Sequence, residues 1–347
     1  MTVTAASSGA TTGSTKARWV GLALAIALVL SITTAVTIGA ADIRFDQVWG
    51  SIASHLGLGA SPLTLLTDGI VWELRMPRVL TAAAVGAGLA LSGAVMQALM
   101  RNSLADPYLL GLSSGASLGA VSVILLSLTA LLPVAAFVGA LAALALTLLL
   151  ASANGRITPT RTILAGLAVS SLAGAVTSFV IFWSVTGDSY REILSWLLGS
   201  LSGARWPAVA IAGTAIIVIG IPVMFSGRVL DAFAFGDTAA SALGVNVQST
   251  RWILLGATAL ITGAMVSVSG SIGFVGLILP HAIRLLVGPS NRALLPLSAL
   301  VGAIFLIWAD TIARTVFDPR ELPVGIVTAI IGAPIFAILL TRARAVA

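Results

Sequence analysis

Two stretches of this chain, Leu22–Gly39 and Pro133–Ala151, each run for at least eighteen residues without a charged side chain. Runs of that length cross a hydrocarbon core of about 30 Å as helices of about 20 residues. Neither alternates apolar and polar residues as a barrel strand does, so the backbone polar groups must be satisfied within helices. Charged residues make up 9% of the 347, and the mean hydropathy is +1.09. Soluble domains carry about 25% charged residues. The chain is therefore all-α and polytopic, and its few charges mark its ends and its working parts.

The apolar pattern predicts about ten spans, at 19–40, 75–99, 107–130, 133–152, 161–184, 206–225, 252–270, 272–288, 293–313 and 323–341, with a short re-entrant or interfacial helix at 192–203. Residues 1–18 read as a disordered tail rich in Ser, Thr, Ala and Gly, and 19–344 as a single transmembrane domain. The first apolar run exceeds the h-region of a signal peptide, so it is read as a retained helix. An even number of spans puts both termini on one side. Eleven of the 18 Lys and Arg fall on that side. The positive-inside rule then places both termini in the cytoplasm of a plasma-membrane protein.

Positive charge on the other side is the anomaly. Arg75 and Arg78 open the second span and Arg314 closes the ninth. Three arginines converging on one face suit a docking surface for carboxylates, which guanidinium forks bind in pairs. Asp310 reads either as a functional intramembrane acid or as the ion-pair partner of Arg314 one turn on. Trp49 and Trp72 are placed like interfacial anchors.

The longest connection on the terminal side, 226–250, is predicted to form two short helices broken at Gly236, with Asp237 as N-cap and Gly244 as the stop. Ala240, Leu243 and Val245 read as apolar knobs on it. Regular helix is also interrupted within 101–116 and 270–281, at Asn102, Pro107 and Gly111 and at Gly273, Phe274, Gly276 and Pro280. Irregular backbone at membrane depth is tolerated only where protein or a cavity covers it, so both stretches line or brace a pathway.

Several chemistries are absent from the sequence. There is no cysteine and one lysine, Lys16, and no Gly-x4-Gly-Lys-Ser/Thr phosphate loop can be drawn. If ATP drives this chain, another polypeptide binds it. His55 and His281 are far apart and lack zinc-ligand spacing, so no metal site is expected. No basic cluster with interleaved aromatics suggests nucleic acid, and no nucleophile set supports a membrane-embedded enzyme.

The ordered series Arg75-Met76-Pro77-Arg78, Leu91-Ser92-Gly93-Ala94-Val95-Met96-Gln97, Arg101-Asn102-Ser103-Leu104-Ala105-Asp106-Pro107, Gly111-Leu112-Ser113-Ser114-Gly115-Ala116, Gly273-Phe274-Val275-Gly276-Leu277, Pro280-His281-x-x-Arg284, Ala309-Asp310-x-x-Ala313-Arg314 and Glu321-Leu322-Pro323-Val324-Gly325 resembles the FecCD-type permeases. These are the membrane subunits of ABC importers for iron–siderophores, haem and cobalamin. The likeness runs from Trp19 to Arg344. It implies a type II importer architecture with ten spans, a second permease subunit (homo- or heterodimer), two cytoplasmic ATPase subunits and an external substrate-binding protein. It also implies that this chain binds no cofactor of its own.

In that family, arginines at Arg75, Arg78 and Arg314 receive acids of the binding protein. The loop matching Asp231–Val245 (Asp231, Asp237, Ala240, Leu243, Gly244, Val245) seats in the ATPases. The turn matching Thr158, Pro159 and Thr160 forms a cytoplasmic gate. Ser103 stands where the family usually has proline, and Pro159 is unusual within the gate turn. The resulting expectation is an iron–siderophore importer permease working by alternating access. Haem or cobalamin import, or a gradient-driven carrier, are the alternatives.

Overall fold

The computed structural model describes residues 8–39, 41, 43–59, 61–153, 158–184 and 187–343. In chain order its α-helices are α1 (Ser8–Thr37), α2 (Phe45–His55), α3 (Leu65–Gly69), α4 (Met76–Met100), α5 (Leu112–Leu125), α6 (Leu132–Ser152), α7 (Pro159–Ser184), α8 (Gly187–Leu197), α9 (Trp206–Ala215), α10 (Ile221–Met224), α11 (Gly227–Phe233), α12 (Asp237–Ala242), α13 (Val247–Ser269), α14 (Val275–Val287), α15 (Asn291–Thr315) and α16 (Val324–Ala343). Among the described residues, seven helical runs are long and apolar enough to cross a membrane, and α5, α14 and α16 are shorter apolar helices.

Boundaries differ from the expectations in several places. Residues 8–18 of the expected tail are helical and continue into α1, while 1–7 lie outside the described residues. The expected short helix at 192–203 is α8, which ends at Leu197. The second span begins at Leu65 and not near Arg75, because α3 runs through a π-helical turn, Ile70–Arg75, into α4.

Pro77 accounts for that turn. Its ring has no N–H and crowds the carbonyl one turn back, so the helix widens rather than breaks. Pro222 does the same after the π turn Ile216–Gly220, joining α9 to α10.

Helix α4 is the axis of the bundle and is buried nearly throughout, against α15, α13, α14 and α9. Helices α5, α6 and α7 form a second group, joined to the first through α13. Small residues set the closest crossings, because packing rather than water exclusion holds helices together in lipid. A β-carbon on Gly86 would stand 2.1 Å from the Gly302 carbonyl oxygen, and one on Gly115 would stand 2.3 Å from that of Gly139.

Helices α5 and α14 have 14 and 13 residues, about 20 Å each at 1.5 Å per residue. Both therefore begin inside the bundle. The segments leading to them, 101–111 and 270–274, are irregular, as the sequence predicts. Residues 112–116 and 275–281, expected to belong to the two interruptions, are helical, and α14 accommodates Pro280.

Candidate functional site

Three groups of side chains stand out: an elbow at one end of the bundle, an arginine cluster at the other, and the two interrupted segments between them.

At the elbow, α11 and α12 meet at Gly236, whose φ of 93° suits glycine. Gly236 is the N-cap and Asp237 the first helical residue, a one-position correction to the expected cap. The Asp237 carboxylate instead accepts twice from Arg251 Nη2, at 3.0 and 3.1 Å, and Arg251 lies 5.6 Å over the Phe233 ring. Gly244, φ 85°, ends the elbow as expected.

Asp231 faces inward. It accepts from the Asn291 backbone N–H at 2.6 Å, from Asn291 Nδ2 and from Ser290 Oγ, and so caps α15 from another helix. Ala240 is fully buried and Val245 packs on the core, so neither is a protruding knob. The protruding residues are Leu243, 68% exposed, and Phe235, 77% exposed. Phe235, in the turn between α11 and α12, was missed because nothing in the pattern separates it from the inward Phe233 two positions earlier.

At the opposite end, all three wrong-sided arginines have partners within the chain. Arg75 donates to the Val36 and Thr37 carbonyls at 2.9 and 3.1 Å and to that of Ala41 at 2.9 Å, and Arg314 donates to that of Ala35. Together they satisfy carbonyls of the last turn of α1, which have no partner within that helix. Arg78 clasps Asp310 through Nε and Nη2 at 2.8 and 3.0 Å and reaches Glu321 through Nη1 at 2.8 Å. Asp310 thus pairs with Arg78, not with its helix neighbour Arg314. Trp72 is likewise inward, stacked on His55 with centroids 4.0 Å apart and packed on Trp206.

The interrupted segments touch each other. Tyr108 Oη donates to the Ile272 carbonyl at 3.0 Å and accepts from the Ile272 N–H at 3.2 Å. The Ser113 and Ser271 hydroxyls lie 2.7 Å apart. Gln97 donates to the Leu277 carbonyl at 2.9 Å, and Gly93 rests against the Gly276 backbone.

Gln97, Pro107, Gly111, Gly276 and Pro280 are buried, so they brace the segments and do not line a channel. Asn102 closes an exposed turn by accepting from the Leu104 N–H. Gly273 and Phe274 are partly exposed, as are Ser113, Ser114 and Ser271. Asp106 caps the 3₁₀ turn Pro107–Leu110 by accepting from the Tyr108 N–H at 2.8 Å. Tyr108 was missed, although it is one of only two tyrosines in the chain. A buried phenol needs a polar partner, and that was the available signal.

Thr158 and Pro159 start α7. Thr158 Oγ1 accepts from the Arg161 N–H, and proline occupies the first helical position. Thr160 is exposed. Residues 154–157 of the same connection lie outside the described residues.

A polytopic bundle with an exposed elbow at one end and interrupted helices at its centre is a membrane permease. A model of the FecCD transport family matches residues 24–342, and the chain belongs to that family, a class of ABC importer permeases. It is 48% identical over 275 residues to the cobalamin import system permease protein BtuC of Halobacterium salinarum, covering 78% of this chain and 73% of that one. It is 38% identical to the hemin transport system permease protein HmuU of Yersinia pestis, covering 93% and 95%. A solved metal-chelate-type ABC transporter in an inward-facing conformation superposes with a TM-score of 0.82 at 30% identity, covering 94% of this chain and 99% of that one.

Proposed function

We propose that this chain is the conduit of a binding-protein-dependent importer that moves an iron–siderophore complex inward by alternating access. Separate ATPase chains press on the α11–α12 elbow, and both termini lie on the cytoplasmic side with it. The observation that carries this reading is the elbow itself. It puts Phe235 and Leu243 outward beyond the ends of the spans, where exposed apolar side chains call for a partner. A second permease subunit completes the conduit against α7, whose exposed face carries Ser171 and Ser178 at membrane depth. The Thr158–Thr160 turn gates the cytoplasmic mouth.

The binding protein docks at the opposite end. There, among the described residues, the acids acting on Arg78 and Arg314 are Asp310 and Glu321, which leaves the cluster of three arginines positive. Arg75 and Arg78 cannot be reversed without uncapping α1 or breaking the ion pair, so docking is better tested at Glu321, whose side chain is 43% exposed. Glu321→Gln is expected to tighten binding-protein affinity about three- to tenfold at low salt, an advantage that fades as salt rises. Unchanged or weaker binding, measured by surface plasmon resonance on reconstituted protein, would remove the docking claim.

The transport reading is tested in proteoliposomes with the co-purified ATPase and binding protein. Radiolabelled ferrichrome, haemin and cyanocobalamin serve as probes. ATP-dependent uptake of ferrichrome, insensitive to an uncoupler, is expected. Leu243→Asp should lower it at least about tenfold by weakening ATPase association, since a charge would enter an apolar contact. Uptake that collapses with the uncoupler would instead identify a gradient-driven carrier. Cobalamin is the second reading, favoured by the 48% identity to a cobalamin permease, and preferential uptake of cyanocobalamin would establish it.

A further inference from the structure

Segment 270–274 joins α13 to α14 inside the bundle; its ends share in helical hydrogen bonds, Gly270 N–H to the Val266 carbonyl and Ile278 N–H to that of Phe274, and the residues between them belong to neither helix. Buried N–H and C=O groups are nearly always paired, and at Ile272 both are paired by one hydroxyl, that of Tyr108. The phenol comes from the other interrupted segment. Beside it the Ser113 and Ser271 hydroxyls meet at 2.7 Å. Two breaks in regular helix, more than 150 positions apart in the chain, are therefore pinned to one another by side chains.

Each segment also leads outward. Segment 101–111 starts beside the elbow: Arg101, in the left-handed region at φ 49°, places Nη1 3.3 Å from where a Gly236 β-carbon would stand. Segment 270–274 leads to the other end. The Ser200 N–H donates to the Ser269 carbonyl at 2.9 Å, and the Gly325 N–H to that of Gly199 at 3.2 Å. A β-carbon on Gly325 would stand 1.9 Å from the Leu198 oxygen and 3.3 Å from that of Ser271. A contiguous line of contacts thus runs from the elbow to Glu321's end of the bundle, and the hydrogen-bonded joint between the two breaks is the Tyr108–Ile272 pair with its serine neighbours. Chains of packed groups and hydrogen bonds of this kind carry coupling between distant sites.

We propose that Tyr108 is a positioning residue for transport: its hydroxyl, holding both backbone polar groups of Ile272, joins the two interrupted segments into one moving part that carries elbow displacement to the opposite end. This rests on reading the chain as an ATP-driven permease. The joint can be broken without touching the elbow, the arginine cluster or a substrate-facing surface, because the phenol keeps its ring position in Tyr108→Phe and loses only the hydroxyl.

The chain has no cysteine, so a Ser113→Cys/Ser271→Cys pair introduces the only two thiols, at the positions where the native hydroxyls meet. In proteoliposomes holding the complete complex, the probe is ferrichrome, or cyanocobalamin if the wild-type complex imports that instead. Tyr108→Phe should lower import about tenfold while ATP hydrolysis continues, the size of effect a lost buried hydrogen-bonding group gives. In the triple variant, diamide should oxidise the two thiols to a disulfide and restore import to within about twofold of wild type, and dithiothreitol should abolish the rescue. A residue that merely stabilised the fold would show no such redox-dependent return of import.

Wild-type import by Tyr108→Phe would overturn the inference. So would a disulfide that stalls transport in an otherwise wild-type chain, or two thiols that fail to join. If the wild-type complex imports no probe under ATP, the permease reading fails and not this one.

Discussion

Asp310→Ala is expected to destabilise the protein by about 3–5 kcal/mol, the usual cost of removing one partner from a buried ion pair. Asp310 is 2% exposed and the Arg78 side chain 11%, so water cannot replace the lost carboxylate. Glu321 would remain as the only anion on Arg78, and it holds one Nη1 contact against the two that Asp310 supplies. Arg75 and Arg314 add uncompensated positive charge nearby. The double variant Arg78→Met/Asp310→Leu should lose much less than the sum of the single changes, because neither member of the pair is then left buried without the other. Thermal unfolding of the purified protein in detergent measures both. A loss below about 1 kcal/mol for the single variant would show that the pair is solvated and not structural.

Gly93→Ala is expected to be as damaging, for a steric reason. The added β-carbon would stand 1.9 Å from the Gly276 carbonyl oxygen and 2.5 Å from the Gly276 Cα. These are backbone atoms, so no rotamer change can relieve the overlap, and α4 and α14 must separate. Overpacking costs about 1–3 kcal/mol and occasionally more; a backbone clash at the crossing that also holds Gln97 on Leu277 belongs at the upper end. Gly256→Ala in α13 is the control, because its β-carbon meets nothing within 4 Å and alanine is the better helix former. If both alanines melt alike in detergent, the close crossing is not what sets the position of α14.

Much of this was legible from residue order. The apolar runs marked most of the long helices, because in hydrocarbon the backbone has few other solutions. Gly236 and Gly244 marked the elbow, since positive φ is costly to other residues. The interruptions showed as clusters of Gly, Pro, Ser and Asn amid apolar sequence.

Side-chain partners were less legible. Charge placement flagged Arg75, Arg78 and Arg314 as anomalous, and an external acid was the reading that sequence spacing allowed. The acceptors are carbonyls of α1 and Asp310, and for Arg78 and Arg314 they lie more than 230 positions away in the chain. Ala240 and Val245 were read as outward knobs because both are apolar on a short loop helix. Only their packing against the bundle separates them from Leu243 and Phe235.

Taken alone, the order of residues determined that this chain lies in a membrane, that regular helix is interrupted near 101–111 and 270–274, that the 226–250 connection folds as an elbow, and that the chain has no nucleotide loop of its own. Those properties depend on local chemistry: solvation of the backbone, the steric limits of glycine and proline, and residue types present or missing. Tertiary structure alone decided which acid meets Arg78, that two arginines from other helices close the last turn of α1, and that Tyr108 bridges the two breaks. Such pairings depend on distances between helices far apart in the chain, and those distances are set by where small residues let the helices touch.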